Sequence, residues 1–258
     1  MSPGLRSLLL LLALALLAPF AWHVAKALPQ FGSPTAAYGA TVNALGPPLR
    51  HVSNMVAAVN FDFRALDTLG EESMLFCAVT GAVVLLRGTR GEGTNRRAGL
   101  IPGRAVLARS DAQVLLCRIA CTLTMLFGLY MVLHGTVTPG GGFQGGVIIA
   151  SAVLLLYLAE GYGPWRRLIR SPLLDVLESL GVLLFVGAGA APLLSGHAAM
   201  SNLMPLGHFR DLFSGGVMLV TNFAVGLAVA AGFVMLLLEF LEETRALQSD
   251  SLPDEAQR

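Results

Sequence analysis

Apolar residues in this chain fall in long blocks rather than scattered positions. Six of them, at 5–28, 68–87, 112–133, 143–159, 173–194 and 216–238, are hydrophobic almost without interruption. Hydrocarbon about 30 Å thick is crossed by roughly 20 apolar residues as helix, and backbone facing lipid must satisfy its own hydrogen bonds, which sheet edges and irregular chain cannot do. The pattern therefore predicts an all-α integral membrane protein with about six transmembrane helices. The first block has a rival reading, because Arg6, the run LLLLLALALLA and the small residues Ala25 and Ala27 are also features of a cleavable signal peptide. Its apolar run exceeds a usual signal core, so a retained helix is expected.

The polar segments between blocks set the orientation. Arg87 closes the second block, Arg90, Arg96, Arg97, Arg104 and Arg109 fall between it and the third, and Arg166, Arg167 and Arg170 follow the fourth. The alternate loops hold only Lys26, Arg50, Arg64 and Arg210. Basic loops stay cytoplasmic, so both termini are expected inside. The stretch RGTRGEGTNRRAGLIPGRAVLARSD has no apolar periodicity and reads as a linker. The expected organisation is a two-helix membrane module with an outer loop at 1–88, a cytoplasmic linker at 89–111, a four-helix membrane domain at 112–242 and a cytoplasmic tail at 243–258. Trp22 and Trp165 are expected at the membrane interfaces, where indoles are favoured. The loop at 29–60 is too short for a catalytic domain and is expected to pack on a neighbouring subunit.

Composition agrees with this class and narrows the chemistry. The chain is 55% hydrophobic and 13% charged, against about 25% charged in ordinary soluble domains. A net charge of +1 offers no general attraction to nucleic acid, and the arginine cluster lacks the interleaved aromatics of a strand-binding groove. Cys77, Cys117 and Cys121 all lie in apolar runs with no histidine at ligand spacing, so no metal site is expected.

Two stretches are dense enough to carry function. HGTVTPGGGFQGGVIIA, at 134–150, joins the third and fourth blocks. Gly140, Gly142 and Gly145 form a literal G-x-G-x-x-G, but a lipid-length helix precedes it where a dinucleotide site needs a strand, and no Walker lysine follows. Pro139 blocks helix continuation, Gly140, Gly141 and Gly142 permit a tight reversal, and Gly141/Gly145 and Gly142/Gly146 are small-x-x-x-small pairs for helix contact. Two readings follow: a tight outer turn with helix packing, or irregular backbone lining a polar cavity with His134 and Gln144 as its donors and acceptors. The second stretch, NFDFRALDTLGEE at 60–72, has Asp67 and Thr68 at a helix cap and Glu71 and Glu72 in the first turn. A carboxylate about to enter lipid is costly and usually functional; helix capping explains Glu71 less well than Asp67, and Arg64 is its nearest candidate partner. Asp175 and Glu178 share a helix face, and an interhelical pair with Arg118 is expected, as structural pairing or as part of an ion path. Glu160 and Glu239, at helix ends, are expected to be solvated.

The run His134, Gly135, Pro139, Gly140, Gly141, Gly142, Phe143, Gln144, Gly145, Gly146 resembles the hallmark of the MnhB family, the MrpB-type subunit of multisubunit sodium/proton antiporters. Thr136 stands where that hallmark has a second histidine. The closing block LFSGGVMLVTNFAVGLAVAAGFVMLLLEFLEE is similar to the family's last helix, with Asn222 and Gly226 in place and Ala228 where many members have lysine. Separately, VNFDFRALDTLGEE is similar to the D-F-R-G-x-D-T-x-G-E segment of the MbhE-like part of the large MrpA subunit, matched by Arg64, Asp67, Thr68, Gly70 and Glu71. Together these imply a natural fusion: an MbhE-like module joined to an MnhB-like domain. They imply an accessory, non-enzymatic subunit in the cell membrane, partnered by other Mrp-type subunits and the lipid bilayer, with no nucleic acid and no cofactor, sodium and protons being the cargo. Glu71, Asp67, His134, Asp175 and Glu178 are then candidates for the ion path. The alternatives are a membrane-arm subunit of a hydrogenase-like redox-driven pump and a purely structural scaffold.

Overall fold

A computed structural model describes residues 3–28, 32, 37–90 and 110–250. The linker expectation falls largely on 91–109, and the end of the expected tail on 251–258, both outside the described residues. The apolar blocks are helices: α1 (Pro3–Ala27), α4 (Ala65–Arg90), α5 (Asp111–Leu133), α6 (Gly142–Glu160), α8 (Ser171–Ala190) and α9 (Val217–Asp250). Between them lie α2 (Ala37–Arg50), the single turn α3 (Met55–Ala58) and α7 (Tyr162–Leu168). Six helices among the described residues are long and apolar enough to cross a membrane, as the hydropathy blocks predict. Helix α1 is apolar around its whole circumference, as a membrane-spanning helix is. The chain divides into two compact units, Met1–Thr41 and Val42–Arg258.

In the second unit α9 is the central helix. It packs against α4, α5, α6 and α8, while α5 pairs with α6 and α4 touches α8. Lipid tails are as apolar as leucine, so helices in a membrane associate through close packing and hydrogen bonds rather than water exclusion. The residues of α9 answer to that: Ala224, Gly226, Ala228, Ala231 and Gly232 let four neighbours approach, and Val225, Val229, Val234 and Leu238 fill the gaps. Phe223, Phe233 and Phe240 are left on its exposed stripe.

Glycines set the closest approaches. A Cβ at Gly181 of α8 would sit 2.7 Å from the Ala228 amide of α9. One at Gly145 of α6 would lie 2.8 Å from the Gly128 carbonyl of α5, and one at Gly146 2.9 Å from the Gly226 carbonyl of α9. Gly142 and Gly146 therefore serve the α9 contact and Gly145 the α5 contact, one turn pattern meeting two neighbours.

Several expectations from sequence are corrected by this packing. Arg118 of α5 pairs with Glu160 of α6 at 2.7 Å, so Glu160 is not simply solvated, and Arg118 does not reach Asp175 or Glu178, because α5 packs on α6 and α9 rather than α8. Glu239 is not solvated but 1% exposed, since α9 stays helical past the lipid-length stretch and keeps its inward face covered. Trp165 is fully buried rather than interfacial: its indole N–H donates to the Val153 carbonyl at 3.0 Å, and its ring meets Tyr157 edge-on. Arg166 ties the same corner down, pairing with Glu242 at 2.8 Å and donating to the Ile169 carbonyl and the Ser171 hydroxyl. The second half of the 29–60 segment packs on this chain's own bundle, burying Val52, Asn54, Ala57 and Ala58.

Candidate functional site

The glycine turn closes one face of the bundle; two asparagines, Asn222 and Asn54, hold it, and a third, Asn202, ties the head of α9 beside it. Gly140 and Gly141 have φ of 139° and 151°, values that side-chain-bearing residues rarely adopt, so the chain can leave α5 and enter α6 in a few residues. Asn222 of α9 sits under the turn. Its Oδ1 accepts from the Gly142 amide at 2.7 Å, and its Nδ2 donates to the Val132 carbonyl at 2.6 Å. One buried carboxamide thus satisfies an open donor at the start of α6 and adds a short bond to a carbonyl at the end of α5 that the Gly135 amide also reaches, at 3.4 Å. Asn54 caps α3 through its Oδ1 and donates from Nδ2 to the carbonyls of Gly135, Thr138 and Gly140 at 2.7 to 3.1 Å. Asn202 accepts from the Val217 amide at the head of α9 and donates to the Asp62 carboxylate at 2.9 Å.

The NFDFRALDTLGEE stretch begins in this same network. Val59–Phe63 forms a π turn, a wide turn often found at functional sites. Arg50 donates to Asp62 at 2.7 Å, and the two line a cavity of about 470 Å³ with Phe63, Arg64, Met200 and Asn202. Thr68 does not cap α4; its hydroxyl donates to the Asn60 carbonyl at 2.6 Å, and α4 already begins at Ala65. Asp67 pairs with Arg64, both exposed, so Arg64 is not the partner of Glu71. The widened turn explains both outcomes, because it leaves the Asn60 carbonyl open for Thr68 and lets Arg64 reach one turn forward.

Within the spans, buried carboxylates stand on three facing helices, Glu72 on α4, Glu178 on α8 and Glu239 on α9. Glu72 of α4 is 1% exposed, and neither of its carboxylate oxygens has a hydrogen-bond partner among the described residues. Glu178 of α8 is 4% exposed. Its Oε1 stands 3.0 Å from where a Cβ of Gly232 would be, with Val79 of α4 on the other side. The Glu178 carboxylate bears electrostatically on Glu72, and Asp175, one turn before Glu178, bears on Glu178. An uncompensated charge in such surroundings costs several kcal/mol, so groups of this kind are kept for a purpose or neutralised.

Of the candidates read from sequence, Asp175 and Glu178 come together on α8, half-buried and buried. Glu71, Asp67 and Gly70 face out of the bundle. His134 ends α5, stacked on Tyr130 with ring centroids 4.2 Å apart and Nδ1 3.2 Å from the Tyr130 carbonyl. Phe143 packs against the core, Gln144 and Pro139 are exposed, and Thr136 is fully buried with no hydrogen-bond partner for its hydroxyl among the described residues. The residue that sequence reading passed over is Glu72. Its signal was a stripe, Ala65, Thr68, Glu72, Val79 and Val83, spaced as one helix face and buried throughout. Asn54 and Asn202 were also missed, since an asparagine in a loop carries no pattern of its own.

Residues 112–235 match the family model described as a domain related to the MnhB subunit of Na+/H+ antiporters. The B-type Na+/H+ antiporter protein of Bacillus subtilis is 31% identical over 124 residues, covering 47% of this chain and 85% of that protein. Among solved structures, one chain of the membrane-bound sulfane sulfur reductase, an archaeal respiratory membrane complex, superposes with a TM-score of 0.70 at 27% identity. That match covers 92% of this chain and 98% of the other. A chain of the Mrp complex from Dietzia sp. superposes with a TM-score of 0.69 at 24% identity, over 93% of this chain and 26% of that one; at that identity the likeness is one of fold.

Proposed function

This chain belongs to the MnhB family of Na+/H+ antiporter subunits, and we propose that it contributes both to the subunit interface and to the ion route of an Mrp-type antiporter complex. It is a multi-pass protein of the cell membrane and an accessory component of a hetero-oligomeric transporter. The observation that carries the finer reading is the similarity to the Bacillus subtilis antiporter protein over 85% of its length, combined with carboxylates buried in lipid-crossing helices. In this reading the chain has no catalysis and no cofactor of its own, and sodium and protons are cargo. The part preceding the linker acts as an MbhE-like module fused to the MnhB-like domain, and both termini face the cytoplasm. Apolar side chains exposed along α5, such as Leu115, Leu116, Ile119 and Leu123, offer surface for lipid or neighbouring subunits.

A second reading is favoured by the near end-to-end likeness to a respiratory-complex chain: a membrane arm driven by electron transfer. Purification through a tag on this chain separates the two. Large antiporter-like subunits without an iron-sulfur protein support the antiporter reading, an iron-sulfur or nickel-iron subunit supports the redox reading, and recovery of this chain alone overturns both.

A further inference from the structure

We propose that the seam between α4, α8 and α9 is a proton path, with Glu72, Glu178, Asp175 and Glu239 as its stations. The proposal rests on the antiporter reading above and assigns the proton branch of that exchange to this chain's own interior.

The register sets the order. Val79 of α4, Gly232 of α9 and Glu178 of α8 meet at one level, where the missing Cβ of Gly232 leaves the Glu178 carboxylate directly over the α9 backbone. Glu72 precedes Val79 by seven residues, about 10 Å at 1.5 Å per residue, toward the glycine-turn face. Glu239 follows Gly232 by seven residues on the same face of α9, about 10 Å the other way. Asp175 lies one turn from Glu178 in that same direction. The four carboxylates thus span about 20 Å of a hydrocarbon layer about 30 Å thick.

Glu72 points to a mobile ligand. Helix α4 packs on α8 and α9, the Glu72 carboxylate is shut off from bulk water, and both its oxygens lack partners among the described residues. A side chain that only stabilised the fold would be hydrogen-bonded or replaced by an apolar residue of similar size.

Spacing selects the proton. A hard cation stripped of water needs several oxygens at once, and no three acidic, histidine or cysteine side chains converge among the described residues. A proton needs one oxygen per step. At each step the O–H bond of a carboxylic acid or an intervening water breaks as an O–H bond to the next oxygen forms, over O···O distances of about 2.7–2.8 Å. With carboxylates about 10 Å apart, the path requires waters to enter and bridge the levels, the carboxylates holding the proton between them.

The test uses the whole complex in vesicles. Glu72→Gln and Glu178→Gln, singly and together, are expected to co-purify with the same partners, to retain binding of radioactive sodium, and to lose at least tenfold in sodium-driven proton movement. Glu72→Asp is expected to restore part of it. Proton movement within twofold of the unaltered complex in an assembled double variant overturns the proposal. So does loss of sodium binding, which would make the seam a sodium site. Should the variants not assemble, a lipid-soluble carbodiimide applied to the unaltered complex decides: modification of Glu72 and Glu178 is expected, and absence of both overturns the path. A complex whose unaltered form shows no sodium-driven proton movement instead fails the antiporter reading itself.

Discussion

Gly142→Ala is the most exacting perturbation of the helix joint. The added methyl would meet the backbone of α9, 2.7 Å from the Gly226 amide and close against the Asn222 carbonyl, with Val225 Cβ at 2.9 Å. Backbone cannot rotate aside as a side chain can, so α6 must move off α9. Overpacking of this kind costs about 1–3 kcal/mol. The shift also loosens the Gly142 amide bond to Asn222, a further loss of about 0.6–1.7 kcal/mol for an interhelical hydrogen bond in a membrane. Gly187→Ala on α8 is the matched control, since a Cβ there meets nothing within 4 Å and the change gains up to about 1 kcal/mol of helix propensity. The two substitutions add the same methyl to a glycine in an apolar helix, yet should differ by at least about 2 kcal/mol, roughly thirtyfold in the unfolding equilibrium. Loss of helicity with increasing denaturing detergent, followed by circular dichroism, measures the difference. Equal midpoints for the two variants would refute the close approach of α6 to α9.

Asn222→Ala leaves the Gly142 amide without its side-chain partner and takes the shorter of two hydrogen bonds from the Val132 carbonyl, and should destabilise the chain by about 1–3 kcal/mol in the same assay; an unchanged midpoint would remove Asn222 as the joint. Trp165→Phe keeps the ring but drops the bond to the Val153 carbonyl, so a loss of about 0.5–1.5 kcal/mol is expected, with no loss counting against the buried placement. For orientation, Leu203→Cys should react with a membrane-impermeant maleimide in intact cells and Arg167→Cys only after the cells are opened, both positions being exposed; the reverse pattern inverts the assignment of faces. Cys77, Cys117 and Cys121 lie within lipid-crossing helices and should stay unlabelled.

The helices were legible because lipid imposes one rule on every span, and blocks such as 112–133 have no other use. The glycine turn was legible too, since Pro139 and the run from Gly140 to Gly142 permit little else. Which neighbour each glycine meets was not: Gly145 turns to α5 and Gly146 to α9, a division that depends on where the helices stand. The carboxylates show the same boundary. Glu71 and Glu72 are adjacent, about 100° apart around the helix axis, and only the buried stripe through Thr68, Val79 and Val83 distinguishes them. Arg118 misled because its charge called for a partner and the chain offered three acidic residues on two helices; adjacency of α5 to α6 decided for Glu160.

The family and the six apolar helices make this chain an accessory subunit of a sodium/proton antiporter. Vesicles from cells lacking the chain, given a pre-formed pH gradient and then a sodium pulse, test that directly. Sodium-dependent collapse of the gradient should be lost on deletion and return when the chain is resupplied. Collapse at the same rate with and without the chain would contradict the account.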